Sequence, residues 1–165
     1  MQIVSDEFLL QLTNEVAVCL SKKEWILSVA ESCTGGWLAK CCTDLAGSSA
    51  WFERGFVTYS NQAKQELLGV DTTTLDLYSA VSEQTVIEMA QGALHNSNTN
   101  ISVSISGIAG PNGGTDQKPV GTVWFAWATE KAAKSELHHF SGNRDAVRRQ
   151  AVAIALKGII KNARA

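Results

Sequence analysis

The chain has 165 residues, of which 45% are hydrophobic and 18% charged, and its 14 basic and 16 acidic side chains give a net charge of −2. This composition is typical of a soluble globular protein and fits one domain over residues 1–165. Because the chain has no basic block, neither nucleic acid nor an anionic membrane is expected as a partner.

Cysteine and histidine patterns argue against a metal site. Cys19, Cys33, Cys41 and Cys42 form no C-x-x-C pair, and the three histidines lack the spacing of metal ligands. Free thiols of this kind indicate a reducing compartment. Since no run of 18 apolar residues and no signal-peptide core is found, we expect a cytoplasmic protein.

Hydrophobic spacing and turn residues predict the elements of the first half of the chain. Ser5, which is followed by two acids, is the expected N-cap of the first helix. The predicted elements are a helix over 6–22, a strand over 25–30, a helix over 35–45, a strand over 51–59 with Gly55 at a bulge or close approach, a helix over 61–68 and one helical turn within 71–78.

The second half is predicted to be richer in strands. Ser82 is the expected N-cap of a helix over 83–95. Strands over 101–105, 120–128 and 134–140, a glycine-rich loop over 107–119 and a final helix over 143–162 follow. This order predicts an α/β fold, namely a single three-layer α/β/α domain with a mixed, mostly parallel sheet. Because ligands bind at the carboxyl ends of parallel strands, the loops at 31–36 and 106–114 are predicted to meet there.

The turn Ala30–Gly36, with the sequence AESCTGG, contains the first candidate nucleophile. Ser32 lies where a predicted strand passes into a helix, although a serine in this position can also simply cap the helix. A serine needs a base, and neither the G-x-S-x-G nor the S-x-x-K motif is present. His95, His138 and His139 lie outside comparable loops, so a Ser-His-Asp triad is not expected.

Lys64 is the better candidate base. It falls in the first turns of a predicted helix, where burial would lower the pKa of its amine, although a solvated lysine is the alternative. Tyr59 could orient a substrate or hold a proton, or could only pack at the end of a strand. Cys33 is a rival nucleophile, and its alternative role is that of a small buried hydrophobic residue. The residues alone leave the choice between Ser32 and Cys33 open.

The loop Gly107–Gly114 matches neither nucleotide-binding glycine motif, so a triphosphate site is not expected, but a pocket lined by backbone remains open. Arg144, at the start of the last helix, could bind one phosphate group, or could form a surface ion pair with Asp145.

Several blocks together resemble the CinA C-terminal-domain family, which includes nicotinamide mononucleotide deamidases. They are AESCTGG (30–36), AGSSAWFERGFVTYSNQAK (46–64), AVSE (80–83), SISGIAGP (104–111), KPVGTVWFA (118–126) and NRDAVRR (143–149). The resemblance implies hydrolysis of the carboxamide of nicotinamide mononucleotide to nicotinic acid mononucleotide and ammonia, in pyridine nucleotide salvage. It implies a Ser/Lys amidohydrolase that uses no metal and no other cofactor.

The resemblance also implies roles for single residues. Ser32 would be the nucleophile, Lys64 the base and Tyr59 an assisting group. Backbone N–H groups at Thr34, Gly35 and Gly36 would stabilise the oxyanion. The substrate's ribose phosphate would lie against Arg144 and the 106–114 loop, with Ser106, Gly110 and Asn112 as its contributing residues.

Three sites depart from the family pattern. Asn112 and Asn143 stand where aspartate is usual, and Tyr78-Ser79 stands in place of His-Gly. The alternative hypothesis is therefore a weakly active or inactive paralogue that binds a nucleotide or a protein partner. Trp51 and Phe52 form an apolar block that could be an interface, and we expect a homodimer.

Overall fold

The computed structural model describes residues 3–165. Its helices are α1 (Asp6–Lys23), α2 (Trp37–Thr43), α3 (Asn61–Leu68), α4 (Thr72–Tyr78), α5 (Glu83–His95) and α6 (Arg144–Arg164). Its strands are β1 (Leu27–Glu31), β2 (Phe52–Val57), β3 (Ile101–Gly107), β4 (Thr122–Thr129) and β5 (Ala133–His139). The predicted order of elements is confirmed.

The sheet has the order β2-β1-β3-β4-β5. Strand β1 is parallel to both of its neighbours, whereas β4 is antiparallel to both β3 and β5. Only β4 therefore runs against the other strands, which confirms a mixed and mostly parallel sheet. The carboxyl ends of β1 and β3 lie side by side, because Glu31 is opposite Ile105.

Helices cover both faces of the sheet, as the prediction of three layers requires. One face packs against α1, α2 and α6, and the main apolar core lies there. On the other face α5 lies directly on β1, β3 and β4, and α3 and α4 pack beside it. Trp51 is buried in the core of this chain, so the predicted apolar block at Trp51 and Phe52 no longer supports an interface.

Small and polar residues set the distance between α5 and its neighbours. Four buried serines donate hydroxyl hydrogen bonds to main-chain carbonyl groups of α5 or of the segment just before it. They are Ser28 to Ala93 (3.5 Å), Ser102 to Ala90 (2.6 Å), Ser104 to Val86 (2.6 Å) and Ser106 to Ala80 (2.8 Å). A side chain at Gly92 would lie 1.9 Å from the Leu68 carbonyl oxygen, so only glycine permits this contact between α3 and α5.

Some predicted boundaries were wrong for clear local reasons. The helix predicted from residue 35 begins at Trp37, because Gly35 and Gly36 have positive φ angles of 59° and 100°. The region predicted as one helical turn is the seven-residue helix α4, whose N-cap Asp71 accepts a hydrogen bond from the Thr73 N–H. Among the described helices, none is both long and apolar enough to cross a membrane.

Candidate active site

The turn after β1 lies beside the turn after β3, as predicted. The Ser32 N–H donates to the Ile105 carbonyl at 3.0 Å and extends the pairing of these strands by one residue. Ser106, Gly107 and Ala109 share one cavity with Ser32. Two parallel strands thus bring the glycine-rich loop to the candidate nucleophile.

Glu31 holds the start of α2 and was not predicted to do so. Its buried carboxylate accepts hydrogen bonds from the N–H groups of Gly36 (3.1 Å), Leu38 (3.1 Å) and Ala39 (2.8 Å). Three N–H donors at the positive end of the helix satisfy the oxygens of this buried side chain. The alternative in which Ser32 caps the helix was wrong, because Glu31 takes that role.

Ser32 is instead in contact with Lys64. The Lys64 Nζ lies 3.0 Å from the Ser32 Oγ and 2.8 Å from the Thr58 carbonyl oxygen. Helix α3 points the lysine inward, and its side chain is only 1% exposed. Burial lowers the pKa of the Lys64 amine to about 8, since the charged form loses its hydration. The alternative of a solvated lysine was wrong.

Cys33 has a different environment from its neighbour. Its side chain is buried in the apolar core, and that burial raises the pKa of the thiol to about 11. Because the thiolate is the nucleophilic form, this burial disfavours nucleophilic attack by Cys33 at neutral pH. This difference in environment favours Ser32 over Cys33 as the candidate nucleophile.

Arg144 joins three parts of the site. Its guanidinium donates to the Gly110 carbonyl oxygen at 2.8 Å and to the Tyr59 hydroxyl at 3.0 Å. The ion pair considered for Arg144 and Asp145 is not formed, because Asp145 contacts Arg149 instead. Tyr59 remains 63% exposed, which places it at the mouth of the cavity.

The cavity above Ser32 has a volume of about 200 Å³. It is lined by Ser32, Cys33, Tyr59, Asn61, Lys64, Ala80, Val81, Ser106, Gly107, Ala109 and Arg144. Asn61, Ala80 and Val81 were not predicted, although each lies within a sequence block that resembles the family. Of the predicted substrate-binding residues, Asn112 is exposed and lies outside this lining, as do Thr34, Gly35, Gly36 and Gly110.

Backbone N–H groups in the turn are largely engaged already. The Gly35 N–H donates to the Ser32 carbonyl at 3.1 Å, and the Gly36 N–H donates to Glu31. Within the described chain, the N–H groups of Cys33 and Thr34 have no acceptor on another residue. Only Cys33 of these two lines the cavity. Cys33 is therefore a further candidate for the oxyanion role, which was predicted for Thr34, Gly35 and Gly36.

Two departures from the family pattern have visible structural consequences. Asn143 is the N-cap of α6, and its Oδ1 accepts the Ala146 N–H at 2.9 Å, a role that aspartate fills in the same way. Ser79 has φ 68° and ψ 175°, a conformation that glycine adopts far more readily. Lys118 reaches across to the Tyr78 carbonyl and the Ser79 hydroxyl at 2.9 and 2.8 Å.

The fold and the Ser32–Lys64 contact can now be compared with known proteins. Residues 9–163 match the family model of the CinA C-terminal domain. This chain belongs to that family. It is 56% identical over 155 residues to the nicotinamide-nucleotide amidohydrolase PncC of Escherichia coli K12, covering 93% of this chain and 94% of that protein.

Two further similarities span nearly the whole chain. The nicotinamide-nucleotide amidohydrolase PncC of Enterobacter agglomerans is 54% identical over 164 residues, covering 96% of this chain and 100% of that protein. A crystal structure of a CinA-superfamily protein from Escherichia coli superposes with a TM-score of 0.92 at 36% identity, covering 98% of this chain and 94% of that one. The family expected from the sequence blocks is thus confirmed.

Proposed function

We propose that this protein hydrolyses the carboxamide of nicotinamide mononucleotide, giving nicotinic acid mononucleotide and ammonia. The observation that carries the proposal is the buried contact of 3.0 Å between the Lys64 amine and the Ser32 hydroxyl. The names of the amidohydrolase relatives indicate the substrate class. Pyridine nucleotide salvage, a cytoplasmic location and a homodimer remain predictions beside it.

In the first half of the reaction, neutral Lys64 accepts the Ser32 proton while the Ser32 Oγ bonds to the carboxamide carbon. The carbonyl oxygen becomes an oxyanion, which the Cys33 N–H stabilises from the turn. The N–H of the residue after the nucleophile supplies this hydrogen bond in other serine hydrolases as well. The C–N bond then breaks, Lys64 returns its proton to the leaving nitrogen, and ammonia departs.

In the second half, water attacks the acyl group on Ser32. Lys64 takes a proton from this water, and the bond between the acyl carbon and the Ser32 Oγ breaks as the carboxylic acid forms, which then loses its own proton to solvent. The proton returns to Ser32, so the enzyme is restored and the product is nicotinic acid mononucleotide. The Lys64 amine donates to the Thr58 carbonyl oxygen at 2.8 Å, a contact that limits its movement away from Ser32.

The cavity is large enough for only one part of the proposed substrate. Pockets that enclose a whole drug-sized ligand measure about 300–1,000 Å³, whereas this cavity holds about 200 Å³. It therefore takes the pyridine carboxamide, and the ribose phosphate extends toward the mouth. Arg144 stands there with a full positive charge, held by Gly110 and Tyr59, and can bind the phosphate through its remaining N–H groups. Ser106 lines the wall of the cavity, and Asn112 lies beyond it.

The test is incubation of the purified protein with nicotinamide mononucleotide, followed by assays of both ammonia and nicotinic acid mononucleotide. We expect equal amounts of both products from the wild type and none above background from Ser32→Ala or Lys64→Met. Circular dichroism of the two variants controls for folding. Binding of the nucleotide without turnover by the wild type would contradict the proposal and support the inactive paralogue.

A further inference from the structure

Arg148 contacts the backbone of the turn that contains Ser32, at carbonyl groups that Lys64 does not contact. Its Nε donates to the Cys33 carbonyl oxygen at 3.0 Å, and its Nη2 donates to the Thr34 carbonyl oxygen at 3.1 Å. Arg148 lies one helical turn after Arg144 on α6, yet it does not line the cavity above Ser32. It lies instead beside a separate cavity of about 590 Å³ that borders the back of the turn.

The neighbours of Arg148 hold its guanidinium in place. The group lies over the Trp37 ring, 5.3 Å from the ring centre, and Arg149 lies 4.8 Å from the same ring. The guanidinium is also close to the backbone of the turn, because a Cβ on Gly35 would lie 3.6 Å from the Arg148 Nη2. A planar, charged donor with two fixed acceptors is a rigid support for the carbonyl groups that it contacts.

The contacts of Arg148 matter because both peptide groups that flank Cys33 are held by hydrogen bonds. The peptide group before it is fixed by the Gly35 N–H, which donates to the Ser32 carbonyl, and the peptide group after it is fixed by Arg148. In a planar peptide the C=O and N–H point in opposite directions, so a held carbonyl also fixes the N–H of the same peptide. If Arg148 were lost, the Cys33–Thr34 peptide could rotate and move the backbone next to Ser32.

We propose that Arg148 is a positioning residue of the proposed amidohydrolase. By binding the carbonyl oxygens of Cys33 and Thr34, it fixes the backbone that presents the Ser32 hydroxyl and the Cys33 N–H to the cavity. The inference rests on the proposed function, because it concerns how that nucleophile is held. Arg148 acts through the turn and touches neither the substrate nor the reacting atoms.

The experiment compares Arg148→Ala and Arg148→Lys with the wild type on nicotinamide mononucleotide. A small misplacement of reacting groups can cost about 10²-fold in rate, so we expect kcat to fall by roughly that factor in Arg148→Ala while KM changes little. Arg148→Lys can reach only one of the two carbonyls well, and its kcat should lie between the other two. The acid limb of the pH profile should stay near that of the wild type, because Lys64 is untouched.

Arg149→Ala is the matched control, since Arg149 contacts the same Trp37 ring but no carbonyl of the turn. Its kcat should remain close to wild type. Added guanidinium ion can enter the 590 Å³ cavity and occupy the space left in Arg148→Ala. We expect it to restore part of the lost kcat, whereas tetramethylammonium should not.

The possible outcomes separate the two proposals. A folded Arg148→Ala protein with the kcat of Arg149→Ala would overturn the inference while leaving the proposed function intact. If Arg148→Ala does not fold, full activity in a folded Arg148→Lys protein, measured beside a circular dichroism melt, would overturn it equally. No hydrolysis by the wild type would overturn the proposed function, and the role of Arg148 with it.

Discussion

The Lys64 amine and the Ser32 hydroxyl are 3.0 Å apart although 32 residues separate them in the chain. Parallel pairing of β1 with β2 brings them together, because α3 leaves the end of β2 beside the end of β1. Enclosure of the lysine removes its hydration and lowers the pKa of its amine to about 8, so the neutral amine that the proposed mechanism requires becomes accessible near neutral pH.

The first prediction concerns the pH dependence of turnover. Lys64 must be neutral to accept the Ser32 proton, and burial lowers its pKa to about 8. We therefore expect kcat/KM for nicotinamide mononucleotide to rise about tenfold per pH unit below that value and to level off above it. A rate profile that is flat from pH 6 to 9 would show that Lys64 is not the base.

The second prediction concerns stability and the same amine. The pKa of Lys64 is about 8 in the folded chain against an ordinary 10.5, so between these values the unfolded chain binds more protons. The contribution of Lys64 to the free energy of unfolding should therefore increase with pH across this interval. Below pH 8 the lysine is protonated in both states, and its effect on stability is constant.

Urea unfolding of the wild type and of Lys64→Met, measured from pH 7 to 10.5, tests this sign. Because other groups titrate equally in both proteins, the difference between their free energies of unfolding isolates Lys64. That difference should shift in favour of the wild type as the pH rises. A shift in the opposite direction would mean that the folded chain holds the proton more tightly than the unfolded chain.

The third prediction separates Ser32 from its neighbour. Burial raises the pKa of the Cys33 thiol to about 11, so iodoacetamide at neutral pH should leave activity intact. Cys33→Ala should retain kcat within a fewfold, since the Cys33 N–H remains, and should lose about 1–2 kcal/mol of stability from the core. Activity lost in Cys33→Ala but kept in Ser32→Ala would reverse the assignment.

The fourth prediction concerns the strained backbone at Ser79. Its φ of 68° and ψ of 175° are readily accessible to glycine alone. We expect Ser79→Gly to raise the free energy of unfolding by about 1 kcal/mol, because relief of strain exceeds the added entropy of the unfolded chain. Glu24→Gly is the control, since Glu24 has φ 54° and ψ 37°, a milder left-handed conformation, and should gain less.

The fifth prediction concerns the cap of α6 next to Arg144. Asn143→Asp keeps an oxygen acceptor for the Ala146 N–H and should leave both stability and turnover close to wild type. Asn143→Ala removes that acceptor and should cost about 1 kcal/mol in urea unfolding. A large gain of turnover in Asn143→Asp would instead mean that this departure from the family pattern had impaired the substrate site.

Local sequence signals were sufficient for most of the fold. The caps at Ser5 and Ser82 were predicted and are confirmed, because a capping hydroxyl and the helix that it serves are neighbours in sequence. Gly55 was predicted at a bulge or a close approach. A Cβ there would lie 3.2 Å from the side chains of Ala39 and Val29, which confirms the close approach. The shift in register falls instead beside Leu27 and Ser28.

The site was harder to predict where partners come from distant elements. Glu31 could have been suspected, since a carboxylate in a buried strand next to Gly-Gly needs donors, and the following helix supplies them. For Arg148 the only indication in the sequence was its spacing of four residues from Arg144, which places both side chains on one face of a helix. Which carbonyls it contacts depends on how α6 crosses the turn, and no local pattern specifies that crossing.

The row of buried serines beneath α5 fixes the position of this helix along the sheet. Three hydroxyls match the carbonyls of Ala93, Ala90 and Val86 within α5, and Ser106 matches Ala80 just before it, so a slide of the helix by one residue would break the three bonds within α5. Apolar side chains can repack by small amounts, whereas a broken buried hydrogen bond leaves a desolvated polar atom. Ala80 and Val81, which line the cavity beside Ser32, are therefore held at a defined position, and these hydrogen bonds help to fix the width of the cavity.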